Sequence, residues 1–136
     1  MSLFSEDYLV RIITQAMAVL MTAVGLKKAG KSSDALQAIQ QAIEQVTTLP
    51  ANLVDQMDDG SLLVMLTTQG KLDIGRLAIL ADLYQEQGEN FIKMDQAEQG
   101  SSAFIRALRF NLEVALSEVV TLSSENIGKI DFLTQR

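Results

Sequence analysis

The residues of this chain best suited to chemistry are its clustered acids and lysines. Asp55, Asp58 and Asp59 stand just before Gly60, a composition that suggests a loop wrapping a cation in carboxylate oxygens. An EF-hand beginning at Asp55 would need an oxygen ligand where Met57 stands and a bidentate glutamate where Leu66 stands. The spacing fails that test and points instead to the end of one helix followed by the cap of the next. Lys27, Lys28 and Lys31 form a basic cluster where a first helix should end, and cations there complement the helix dipole. The functional alternative is a clamp on the carboxylate of a protein partner, which would need Asn and Arg from neighbouring helices. Tyr84, Asp82, Glu86 and Arg106 could line a pocket for a small molecule or a carboxylate-dependent reaction.

Composition removes most other chemistry. The 136 residues include no His, Cys or Trp. There is then no imidazole base, no zinc site of nitrogen and sulfur ligands, and no Ser-His or Cys-His nucleophile. The expectation is a protein that is not an enzyme, with no cofactor and no metal. A net charge of −6 argues against nucleic acid, whose phosphates need a basic face. The lack of cysteine fits a reducing compartment, and acids Glu6 and Asp7 stand where an export signal would carry positive charge. The longest apolar stretch, from Ile12 to Leu26, is interrupted by Thr14, Gln15 and Thr22 and bracketed by Arg11, Lys27 and Lys28. It falls short of the roughly 20 residues that span a bilayer. A cytoplasmic protein with no membrane contact and a buried first helix is expected.

The elements that must position these residues are helical. Ser5 can cap a first helix that carries Ile12, Met17, Leu20, Met21 and Val24 and ends at Gly30. Ser32 or Ser33 should start a second, with Leu36, Ile39, Ala42, Ile43 and Val46 as its apolar stripe and Pro50 beyond its end. From Ala51 to Gly70 two short helices are expected, with a strand over Leu62 to Leu66 as the competing assignment. Asp73 caps a long helix that continues past Gly88 for want of a proline. Gly100, Ser101 and Ser102 open the next, leaving Ile105, Ala107, Leu108, Leu112, Ala115, Leu116 and Val119 to be buried. A short last helix after Ser124 would be anchored by Ile127, Ile130 and Leu133.

Two segments repeat one pattern of small and large residues. Ala23, Leu26 and Gly30, then Ile39 and Ala42, match Ala81, Tyr84 and Gly88, then Phe104 and Ala107. That pattern resembles the tetratricopeptide repeat, in which two helices pack closely as a hairpin. The order DYLVRIITQAMAVLMTAVGLKKAGKSSDALQAIQQAIEQV, LTTQGKLDIGRLAILADLYQEQGENF and FIRALRFNLEVAL is similar to an uncharacterised bacterial family, common in Gram-positive organisms, that itself resembles tetratricopeptide repeat proteins. The resemblance implies a fold and brings no activity or catalytic residue with it. Gly30 and Gly88 lie too far apart for adjacent repeats of about 34 residues, so a closed bundle is expected in place of an open solenoid.

The fold expected for residues 1–136 is therefore a single all-α domain, a bundle of six or seven helices with tetratricopeptide-like antiparallel hairpins. Met17, Leu20, Met21 and Val24 share one face of the first helix. Repeat geometry leaves that face open, and methionine suits adaptable contact surfaces. It could be covered by the last helix, by a second copy or by a partner's helix. The functional expectation is a non-catalytic scaffold that works through protein contacts, with a homodimer through this face as its leading form. Lys27, Lys28 and Lys31 are candidate partner contacts.

Overall fold

A computed structural model describes the chain from Glu6 to Thr134, with side chains described from Asp7 to Thr121. Six helices occur in this range: α1 (Glu6–Lys28), α2 (Ser32–Thr47), α3 (Ala51–Gln56), α4 (Asp59–Met65), α5 (Ile74–Lys93) and α6 (Ala97–Thr134). The fold is all-α, a helical bundle as expected. The proposed cap Ser5 lies outside the described residues.

Local chemistry sets each boundary. Gly30 takes a left-handed φ of 78°, and the Gly30 and Lys31 N–H groups donate to the carbonyls of Lys27 and Leu26, the paired bonds that close a helix C-terminus. Lys31 occupies the cap position of α2 without a side-chain bond, so Ser32 is already helical and does not cap it. Thr48, also left-handed, ends α2 ahead of Pro50, and Arg76 reaches across from α5 to donate to the Val46 carbonyl at 3.2 Å. Asp58 caps α4 by accepting from the Ser61 N–H at 2.6 Å, and Asp73 caps α5 by accepting from the Arg76 N–H at 3.1 Å. The segment Leu62 to Leu66 is helical up to Met65 and not a strand. A two-residue antiparallel pairing, β1 (Thr67–Thr68) with β2 (Lys71–Leu72), follows it. Its turn residues Gln69 and Gly70 both have positive φ, as a tight hairpin demands.

The core gathers where α1, α2 and α5 meet, with Ile12, Ala16 and Ala23 set against Ala35, Ile39 and Ala42 and against Leu77, Leu80 and Ala81. α5 packs on α1, α2 and α6 alike, whereas the backbone of α6 lies extensively against α5 alone. The bundle is thus open on the far side of α6, in contrast to the closed form expected. The α5–α6 contact is antiparallel and very close: a methyl group on Gly88 would lie 2.6 Å from the Phe104 ring, and one on Gly100 would lie 2.8 Å from Ile92. Gly30, by contrast, has nothing within 4 Å of such a methyl group. The two glycines that align in the sequence therefore do different work. One frees the backbone to turn, and the other lets two helices touch.

Two further expectations are corrected. α6 begins at Ala97, before Gly100, and runs unbroken to Thr134, so no separate helix starts after Ser124. The side chains of Ile127, Ile130 and Leu133 lie outside the described residues. α1 is longer than its apolar run, because a helix includes its polar ends. At 1.5 Å per residue its 23 residues reach about 34 Å, enough for a bilayer core. Only 17% of its apolar window is buried, so α1 is not the enclosed helix that its composition suggested.

Candidate functional site

Three features of this frame could carry function, and the first two are built from residues distant in sequence. The first is a groove of about 980 Å³ between α2 and α6, floored by α5 and bordered by α3 and α4. Leu36 and Gln40 of α2, Tyr84 and Phe91 of α5, and Arg106 of α6 line it. Of the four residues considered for a pocket, Tyr84 and Arg106 meet here. Asp82 is exposed elsewhere, and Glu86 faces α1.

Arg106 is the hub of the groove. Its Nε donates to Asp59 Oδ1 at 2.7 Å, its Nη1 to the Val54 carbonyl at 3.3 Å and the Tyr84 hydroxyl at 3.4 Å, and its Nη2 to the Met57 carbonyl. Four of the five guanidinium N–H groups are thereby engaged. The cation also sits 5.3 Å from the centre of the Tyr84 ring, which meets Phe110 edge-on at 5.9 Å. Arg109 adds a second pair to Asp59, at 3.1 Å. Burial pushes the Tyr84 phenol above its ordinary range, against the pull of Arg106. Burial likewise raises the Asp55 carboxyl, and Arg106 offsets part of the rise. The three aspartates that suggested a cation loop are divided among other tasks: Asp58 caps α4, Asp59 ties α4 to α6, and Asp55 faces the groove. The signal for Arg106 was present only as an arginine beside apolar positions. Its partners lie 22 to 52 residues away and could not be read from spacing.

The second feature is polar and lies between α1 and α5. Lys27 Nζ meets Glu86 Oε1 at 2.8 Å and Glu89 Oε2 at 3.0 Å. Burial alone would lower the lysine, but the hydrogen bonds and charges of the two glutamates hold it above its usual value. Burial would raise Glu89, and Lys27 holds it below. Asn90, fully buried beside them, donates to the Glu86 carbonyl at 2.8 Å. The basic cluster is therefore split. Lys27 is neutralised within the chain, which removes it as a partner contact, while Lys28 and Lys31 are exposed.

The third feature is apolar surface. On α1, Met17 and Met21 are 53% and 75% exposed, while Leu20 and Val24 on the same face are partly buried. Among the described residues, none covers the two methionines. On α6, Ile105, Leu108, Leu112, Leu116 and Val119, all expected to be buried, are more than half exposed, as is Val120. Among the described residues of α6, the buried ones are Gly100, Ala103, Ala107 and Phe110, on the opposite side of the helix. Gly100, Ala103 and Ala107 face inward where α5 comes closest, and Phe110 fills the space beyond that contact against Tyr84.

Comparison of the chain with family models, with curated proteins and with solved structures gives no match. The functional reading rests on this geometry.

Proposed function

We propose that the chain is a non-catalytic, tetratricopeptide-like scaffold of the cytoplasm that acts by protein contact, self-association first. The observation that carries this reading is the uncovered apolar surface of α1 and α6. Monomeric soluble proteins seldom expose contiguous apolar patches beyond a few hundred Å², and a twofold pair is the commonest way for a small protein to cover one. Lys28 and Lys31 remain available at the rim for an acidic partner. A location in the membrane is disfavoured because inserting α1 would strip Ile12, Ala16 and Ala23 from the core and Lys27 from its two glutamates.

The groove supports a second reading, a small-molecule binder or carboxylate-dependent enzyme. It is the weaker one, since the donors of Arg106 are nearly all engaged and the acids there without an ion pair, Asp55 and Glu98, are solvent-exposed. Light scattering on a sizing column tests the proposal directly. A mass near twice the 14.9 kDa of one chain is expected, and a mass of one chain at high concentration would refute self-association.

A further inference from the structure

α6 has two apolar faces where a surface helix needs one. The inner face, with Ala103, Ala107 and Phe110, is used by α5. The outer face has a different character. Ile105, Leu112 and Val119 recur every seven residues, with Leu108 and Ala115 between them at the alternate three- and four-residue steps, and Leu116 flanks the row. These steps place the side chains in one stripe that a facing helix can pack against as in a two-stranded coiled coil, with β-branched Ile105 and Val119 at the first core position and Leu108 at the second, while Leu112 and Ala115 depart from that pairing. No charged residue stands in the row. A helix that faced only the core of its own chain would be polar on its solvent side.

The helix also outreaches its neighbour. Gly100 meets Ile92 and Phe104 meets Gly88, so in that register the start of α5 falls opposite about position 118 of α6. The remaining roughly sixteen residues of α6, about 24 Å at 1.5 Å each, run beyond α5. Resting on the self-association reading above, we infer that the outer stripe of α6 is a helical seam that pairs with the same stripe on a second copy of this chain. Area selects this occupant and this helix. The exposed portions of these α6 residues, Val120 included, offer at most roughly 600 Å² per protomer, or about 1,200 Å² over a twofold pair if all of it is covered, the lower limit of stable specific interfaces. Val10, Met17 and Met21 on α1 offer about half as much, below that size.

The test compares the wild-type chain with L112E/L116E on α6 and M17E/M21E on α1, by sedimentation velocity with far-UV circular dichroism as the control for folding. The expected result is a dimeric wild type, a helical but monomeric L112E/L116E, and a dimeric M17E/M21E. A folded L112E/L116E that remains dimeric overturns the α6 seam and leaves self-association standing. A wild type that is monomeric at about 100 μM, well above the micromolar range open to an interface of this size, overturns both. Should L112E/L116E lose its helicity, single cysteines decide the matter, because the chain has none of its own. Position 112 lies at the middle of the stripe, so it meets its own copy in a parallel pair and lies at the twofold axis of an antiparallel pair centred on the stripe. L112C should oxidise to a disulfide-linked pair of chains and M21C should not; the reverse pattern overturns the seam.

Discussion

Replacing Gly88 by alanine probes the contact that seats α6 on α5, and with it the direction in which the outer face of α6 points. Two effects of opposite sign compete. Alanine in a helix interior is better than glycine by about 1 kcal/mol. The added methyl, however, would lie 2.6 and 2.7 Å from two carbons of the Phe104 ring, closer than packed carbons approach. Overpacking of this kind costs about 1 to 3 kcal/mol. The helix gain offsets part of this, so Gly88→Ala should destabilise by about 1 kcal/mol and lower the melting temperature by about 4 °C for a chain of this length. Phe104→Ala removes the obstruction, and in that background the sign should reverse, with Gly88→Ala stabilising by about 1 kcal/mol. The four proteins of this cycle are compared by thermal and urea unfolding at one protein concentration, because self-association couples to stability. If Gly88→Ala raises the melting temperature equally in both backgrounds, the ring does not press on Gly88 and the close approach of the helices is wrong.

Lys27→Met should leave Glu86, which is 7% exposed, beside Glu89 with no cation between them. Breaking a buried pair costs about 3 to 5 kcal/mol, and the partial exposure of Glu89 reduces this to about 2 at neutral pH. Lys27 holds Glu89 below its unfolded value, so the stability this pair contributes is present above the unfolded pKa and lost as pH falls through the folded one. Urea midpoints of variant and wild type should therefore converge as the pH falls from 7 through and below the ordinary glutamate range, and a constant gap would contradict the assignment. Asp59→Asn keeps the shape but removes the charge that holds both Arg106 and Arg109. It should cost about 1.5 to 3 kcal/mol, and an unchanged urea midpoint would show that Arg106 is held by the Val54 and Met57 carbonyls alone.

The sequence by itself determined what is local. Gly30, Pro50 and Asp73 mark helix ends because a left-handed turn, a missing N–H and a side-chain acceptor act within a few residues of where they stand. The absence of a proline let α5 continue past Gly88, and the 3.6-residue stripe of α2 named Ile39, Ala42, Ile43 and Val46 as buried, while Leu36 is half-buried at the groove and Ala35 takes the inward place. The Gln69–Gly70 turn was also local and could have been found, as a residue and glycine tolerant of positive φ between Thr67–Thr68 and Lys71–Leu72. Tertiary structure alone decided the rest. Gly30 and Gly88 are alike in the chain, and only the arrival of Phe104 makes the second a packing position. Arg106 and Lys27 became hubs because helices from distant parts of the chain brought acids and carbonyls to them. α6 is apolar on two sides, and periodicity gives no rule for which side turns inward. That choice was made by the closeness of α5, which admits Gly100, Ala103 and Ala107 at the contact with Phe110 beyond it, and leaves leucine and isoleucine facing outward.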